Sequence, residues 1–314
     1  MAPTRGAVRV RHQMSEIPIS RARRRLLMAL TLTGCAWGAN APAKDSPDAA
    51  TPPAERSFDV KTGDGVHLNV LEARPATLDP SLPAILLVPG WCMPATIWQE
   101  QLRGLGKRFR TLALDPRGQG QSDVPEVGYE AWRRAGDLHD VLAPLPRTVL
   151  VAWSLGVLDA LNLVDRWGES TLAGLVLVDN SVGEPPAPRP SDFIAQLRAD
   201  RRTAVDHFVR AMFARPLPEA RIESIEQSAL KMPLEGAIAL LSYPFPREHW
   251  RDIARSIRVP LCYCVTSRYL EQAHNLQRDR PATRVEWFEH AGHALFVDEP
   301  ERFNRIVEEF ARQA

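Results

Sequence analysis

Short apolar runs alternate with longer amphipathic stretches over most of this chain. Ala84–Val88, Thr111–Leu114, Thr148–Trp153 and Gly174–Val178 are each a few residues long, mostly aliphatic, and bounded by polar or turn-forming residues. Runs of that kind read as strands buried on both faces of a parallel sheet. Between them, Ala95–Leu105, Tyr129–Leu142 and Val157–Val164 read as helices, and Trp132, Leu138 and Leu142 are expected to share one buried face. Upstream, Phe58–Lys61 and Val66–Glu72 flank Thr62-Gly63-Asp64-Gly65, which predicts a hairpin with a glycine-rich turn.

The alternation breaks at Glu184-Pro185-Pro186-Ala187-Pro188-Arg189-Pro190. From Asp192 to about Ser242 the pattern is helical, with apolar stripes at Phe193, Ile194 and Leu197 and at Val205, Phe208, Val209 and Met212. Strand character returns at Pro260–Val265 and Arg284–Phe288, and an amphipathic helix over Glu301–Arg312 closes the chain. No internal repeat is visible. The fold class implied is α/β: a mostly parallel, doubly wound sheet with a helical insertion at about 185–250.

Composition changes the picture mainly at the N-terminus. Lys and Arg number 39 against 38 Asp and Glu, so no global charge points to nucleic acid. The basic residues do cluster at Arg21 and Arg23–Arg25, ahead of the short apolar run Leu26–Thr33, which is too short to span a bilayer. Leu32-Thr33-Gly34-Cys35 follows and resembles a bacterial lipobox, so residues 1–35 read as a signal peptide with Cys35 as the lipidated residue. Arg23-Arg24-Arg25-Leu26-Leu27 also resembles a twin-arginine signal. Residues 36–56 are rich in Ala, Pro, Asp and Ser and read as a flexible tether, with a reach of roughly 25 Å. The expected location is therefore the bacterial cell envelope, with a membrane contact made through the N-terminal lipid.

The three remaining cysteines, Cys92, Cys262 and Cys264, read as buried thiols, the last two facing one side of a single strand. No Cys or His spacing suggests a metal site.

The candidate chemistry centres on Trp153-Ser154-Leu155-Gly156. A buried strand, a sharp turn carrying Ser154 and a following helix would push the serine Oγ into the open. A serine hydroxyl needs a base within hydrogen-bond reach, and usually a third group that orients the base. His293, in Ala291-Gly292-His293, follows the last strand and is the candidate base, with His290 as its rival. The acid should lie between residues 154 and 293. Asp179 ends the strand after the serine's helix. The loop after the strand ending at Val265 contains no Asp and offers Glu271, so Asp179, Glu271 or no acid all stand open. Acyl transfer also needs donors for a developing oxyanion, and the backbone N–H groups of Leu155 and Trp91 are best placed.

Taken together, Val88-Pro89-Gly90-Trp91, Asp115-Pro116-Arg117-Gly118-Gln119-Gly120-Gln121-Ser122, Trp153-Ser154-Leu155-Gly156 and Ala291-Gly292-His293 with Pro300-Glu301-Arg302-Phe303 resemble the α/β-hydrolase superfamily over residues 57–314. Within it the chain is similar to single-domain esterases around the pimeloyl-ester carboxylesterases and to cofactor-free haloperoxidases. The resemblance implies a Ser-His-acid triad, an oxyanion hole from Trp91 and Leu155, a helical lid at about 185–250 and no cofactor. Two departures stand out: Pro89-Gly90 replaces the usual His-Gly, and the acid after the penultimate strand is missing. Some members carry that acid at the position Asp179 occupies. The expected activity is hydrolysis of small to medium acyl esters, with a small-molecule ester as partner. Lactone opening, perhydrolysis or a non-catalytic binding domain are the alternatives.

Overall fold

The protein is described here from a computed structural model, which covers residues 53–314. The stretch read as a signal peptide, Cys35 and most of the stretch read as a tether lie outside the described residues. Strand β1 (Ala54–Lys61) nevertheless begins inside that stretch, since Ala54, Glu55 and Arg56 pair with Arg74, Ala73 and Glu72 of β2 (His67–Arg74). Composition reads these residues as linker, but a buried carboxylate across the pair holds them. Glu72 is buried and binds both Arg56 and Arg110.

β3 (Ala84–Val88) is followed by a short 3-10 turn, Ala95–Trp98, and α1 (Gln99–Leu105). β4 (Thr111–Leu114), α2 (Ala131–Leu142), β5 (Thr148–Trp153), α3 (Leu155–Trp167) and β6 (Leu172–Val178) complete the first half. Four helices then form the insertion: α4 (Phe193–Ala199), α5 (Arg201–Ala211), α6 (Glu219–Lys231) and α7 (Leu234–Ala239). The chain ends through α8 (Arg247–Ser256), β7 (Leu261–Val265), α9 (Leu270–Asp279), β8 (Thr283–Trp287), the single turn α10 (Leu295–Asp298) and α11 (Pro300–Gln313).

The eight strands make one sheet in the order β1-β2-β4-β3-β5-β6-β7-β8. β1, β2 and β4 pair antiparallel, and every pair from β4 through β8 is parallel. β5 is buried at all its positions, with Val149, Val151 and Trp153 facing one apolar layer and Leu150 and Ala152 the other. That explains why it reads as an unbroken apolar run rather than an alternating one. α1 and α11 cover the first face; α2, α3, α8 and α9 cover the second.

The strand order reverses around β3. Val88 pairs with Ala152, and Val178 pairs with Cys264. The loops leaving β3, β5, β6 and β7 therefore emerge at one rim, where open parallel sheets bind their ligands.

Two expectations need correction. Trp132 does not join the buried face of α2; it is 51% exposed. Trp132 and Leu138 are six residues apart, roughly 240° around a helix at about 100° per residue. The buried face instead runs through Ala131, Arg134, Ala135, Leu138, Val141 and Leu142. The insertion also ends earlier than about residue 250. α8 buries Trp250, Ile253 and Ala254 in the layer shared with α3 and α9, so it belongs to the body of the sheet. A helical pattern alone does not say which neighbour the apolar face meets.

Candidate active site

Ser154 sits between β5 and α3 with φ 53° and ψ −122°. Only a strained turn holds an L-residue there, and strain of this kind collects at functional sites. Among the described residues, the three non-glycine residues with positive φ are Cys92, Ser154 and Asp179, which follow β3, β5 and β6 on the same rim. Neighbouring groups keep the turn in place. Ser154 N–H donates to Val178 O at 2.9 Å, and Asn180 Nδ2 donates to Ser154 O at 2.8 Å.

His293 Nε2 lies 2.9 Å from Ser154 Oγ, and its Nδ1 lies 2.8 Å from Asp179 Oδ2. The other carboxylate oxygen of Asp179 accepts from Thr266 N–H at 2.7 Å and Thr266 Oγ1 at 2.8 Å. An ionised carboxylate only accepts hydrogen bonds, so Nδ1 carries the imidazole proton and Nε2 is left to accept from the serine hydroxyl. Asp179 is buried, and Thr266 stands in the loop after β7 where the sequence shows no acid. The acid has one strand's address and its anchor the next strand's. The rivals lie elsewhere: Glu271 is exposed on the first turn of α9, and the side chain of His290 is 85% exposed.

Trp91 follows the turn after β3. A Cβ on the preceding Gly90 would come within 2.9 Å of Ser154 Cβ, so the backbone here passes directly beside the serine. Among the described residues, neither Trp91 N–H nor Leu155 N–H donates to a protein acceptor. These are the two amides the sequence nominates as oxyanion donors. The Trp91 indole is committed to the insertion. Its Nε1 donates to Ala237 O at 2.7 Å, and its ring meets Phe193 and Phe208 edge-on at 5.1 and 5.3 Å. Cys92, next in the chain, is buried, and burial pushes its thiol well above the ordinary range.

Several contributors escape sequence reading. Trp153 Nε1 donates to His293 O at 2.8 Å, so the residue before the serine braces the backbone of the histidine. Lys231 Nζ, at the end of α6, donates to Gly120 O at 2.7 Å and Ser122 O at 3.1 Å, which pins the insertion to the loop after β4. Buried Arg134 joins Asp159 to Tyr243 Oη, at 2.9 and 2.7 Å. A Trp beside a serine or a Lys at a helix end carries no local signal of a partner more than a hundred residues away. Among the described residues, no group of three or more His, Cys, Asp or Glu is arranged to hold a metal ion.

Comparison with known proteins bears on the family and the fold. The profile described as the alpha/beta hydrolase family matches residues 85–306. The chain is 28% identical to a pimeloyl-[acyl-carrier protein] methyl ester esterase of Vibrio atlanticus, over 74% of this chain and 95% of that one. Among solved structures it is similar to an esterase from Exiguobacterium antarcticum, with a TM-score of 0.71 at 22% identity, covering 81% of this chain and 99% of that one. It is also similar to a bromoperoxidase from Bacillus anthracis, with a TM-score of 0.70 at 17% identity, covering 82% of this chain and 100% of that one. At those identities the two structures speak for the fold alone.

Proposed function

The chain belongs to the alpha/beta hydrolase family, and we propose that it is a serine hydrolase that cleaves carboxylic esters of small to medium acyl groups through an acyl-enzyme. The observation that carries this reading is the unbroken hydrogen-bonded line from Asp179 through His293 to Ser154 Oγ. In the first step Ser154 Oγ attacks the acyl carbon while His293 Nε2 takes its proton. The carbonyl oxygen becomes an oxyanion within reach of Trp91 N–H and Leu155 N–H. Collapse releases the alcohol, which takes the proton back from Nε2, and water then repeats the sequence to free the acid. Asp179, itself held by Thr266, keeps the required tautomer and offsets the charge of the imidazolium.

The acyl preference is supported by the apolar side chains Phe193 and Phe208, which α4 and α5 pack against Trp91 beside the serine. The Vibrio relatives are named for a pimeloyl-[acyl-carrier protein] methyl ester, so methyl esters of medium-length acids belong in a substrate panel.

The test is hydrolysis of p-nitrophenyl acetate and butyrate by the protein and by its Ser154→Ala variant. The expected loss in the variant is at least about 10³-fold. Equal rates in both, or no labelling of the parent by a fluorophosphonate, would end this reading. We also propose that Cys35 is lipidated and holds the enzyme on a membrane of the cell envelope. Cys35→Ala should then move the protein from the membrane fraction to the soluble one, and an unchanged distribution would remove that claim.

A further inference from the structure

The turn that carries His293 is fixed by three backbone hydrogen bonds, each from a different part of the fold. His293 O is held from β5 by Trp153 Nε1 at 2.8 Å. Ala294 N–H donates to Met212 O, in the turn between α5 and α6, at 2.9 Å. Gly292 N–H donates to Asp298 Oδ2 at 2.8 Å. That same carboxylate oxygen accepts Ala214 N–H, from the α5–α6 turn, at 2.9 Å.

The two segments also touch without side chains between them. A Cβ on Gly292 would lie 2.6 Å from Met212 O and 2.7 Å from Ala214 N, so only glycine lets the insertion seat this closely on the histidine turn. Of the groups that cross this seam, Asp298 is the one side chain whose single oxygen grips both sides. It makes no hydrogen bond with Ser154 or with the imidazole ring, whose partners are each other and Asp179.

We propose that Asp298 is a positioning residue that makes alignment of His293 depend on a seated lid. Lifting the α5–α6 turn away from the rim breaks Ala214 N–H to Asp298 and Ala294 N–H to Met212. The second loss frees the backbone directly after His293, and the first leaves Asp298 holding Gly292 alone, without the insertion as its second anchor, so the imidazole loses its register with Ser154. The base is thereby aligned once the lid is down. A misplacement of about 1 Å is enough to cost roughly 10²-fold in rate.

This inference rests on the proposed role of His293 as base. The test compares Asp298→Ala, Asp298→Asn and Ala214→Pro with the parent, using p-nitrophenyl acetate as a substrate too small to depend on lid contacts. Asp298→Ala should lower kcat by about 10² with KM within about twofold, and should erase the low-field proton resonance of His293 Nδ1–H. Asp298→Asn keeps one oxygen that accepts both N–H groups and should retain activity within about tenfold of the parent. Ala214→Pro removes the lid's donor and leaves the Asp298 side chain in place; its loss in kcat should be in the same direction and less than additive with Asp298→Ala. Unchanged kcat in Asp298→Ala would overturn the proposal. So would an equal loss in the Ala and Asn variants that tracks a fall in melting temperature, because that pattern marks a merely structural residue. Full activity in Ala214→Pro would overturn the link to the lid. An inactive parent would instead defeat the ester-hydrolase reading, while the proton resonance would still report whether Asp298 holds the ring in place.

Discussion

The indole N–H of Trp153 donates to the carbonyl oxygen of His293 at 2.8 Å, across 140 residues of chain. Trp153 therefore sets both ends of the proton path. Its backbone leads into the strained turn of Ser154, and its ring braces the backbone of the base. The ring is itself wedged edge-on against Trp98 and Phe296.

Trp153→Phe keeps most of the ring packing and removes the donor, leaving a carbonyl unpaired at the edge of the site. The expected stability loss is about 1–3 kcal/mol. The rate should fall with it: kcat for p-nitrophenyl acetate is expected to drop about tenfold as the His293 turn loosens. Denaturant unfolding and steady-state kinetics on one preparation check both, and an unchanged kcat would separate the brace from catalysis.

Asp179→Asn should reduce kcat by roughly 10⁴, because the amide favours the wrong imidazole tautomer. Glu271→Gln should leave kcat unchanged, since Glu271 lies exposed at the start of α9. The reverse order in a side-by-side assay would displace Asp179 as the acid.

Gly90→Ala should disable the site without unfolding the protein. The added Cβ meets Ser154 Cβ at 2.9 Å and Oγ at 3.3 Å, and the strained serine turn has no room to retreat. Labelling by a fluorophosphonate is expected to slow by about 10² or more at an unaltered far-ultraviolet circular dichroism spectrum. Labelling at the parental rate would mean that the loop after β3 yields.

Acid stability should depend on Asp64. Burial raises its pKa, but hydrogen bonds from Arg117 and Thr62, with the charges of Arg117 and Arg133, prevail and lower it to about 2. A folded pKa below the unfolded value of about 3.9 contributes stability above that value. The contribution fades as pH falls through the interval from about 4 to about 2. Asp64 is 38% exposed, so the effect is modest. Asp64→Asn should lower the urea midpoint at pH 6, and the gap to the parent should close by about pH 2. A gap that persists at low pH would assign the effect to packing.

How much of this was legible in the sequence differs from residue to residue. Strands β3 to β7 were readable because each is buried on both faces and so mostly apolar. Ser154 was readable because its turn demands small neighbours directly before a helix, and His293 because it follows the final strand in a glycine-containing loop. All of these are local requirements, written within a few residues of where they act.

What the tertiary structure alone decided are the relations set by register and by loops closing on one another. Asp179, not Glu271, reaches His293 because β6 and β7 pair Val178 with Cys264, which brings Thr266 beside the carboxylate. α8 belongs to the body rather than the lid because its apolar face meets α3 and α9, a choice of neighbour that helical periodicity leaves open. The first residues of β1 are ordered by Glu72 across the sheet, against a composition that reads as linker. A sequence pattern records whether a residue must be buried or turned; it does not record which distant segment arrives to bury it.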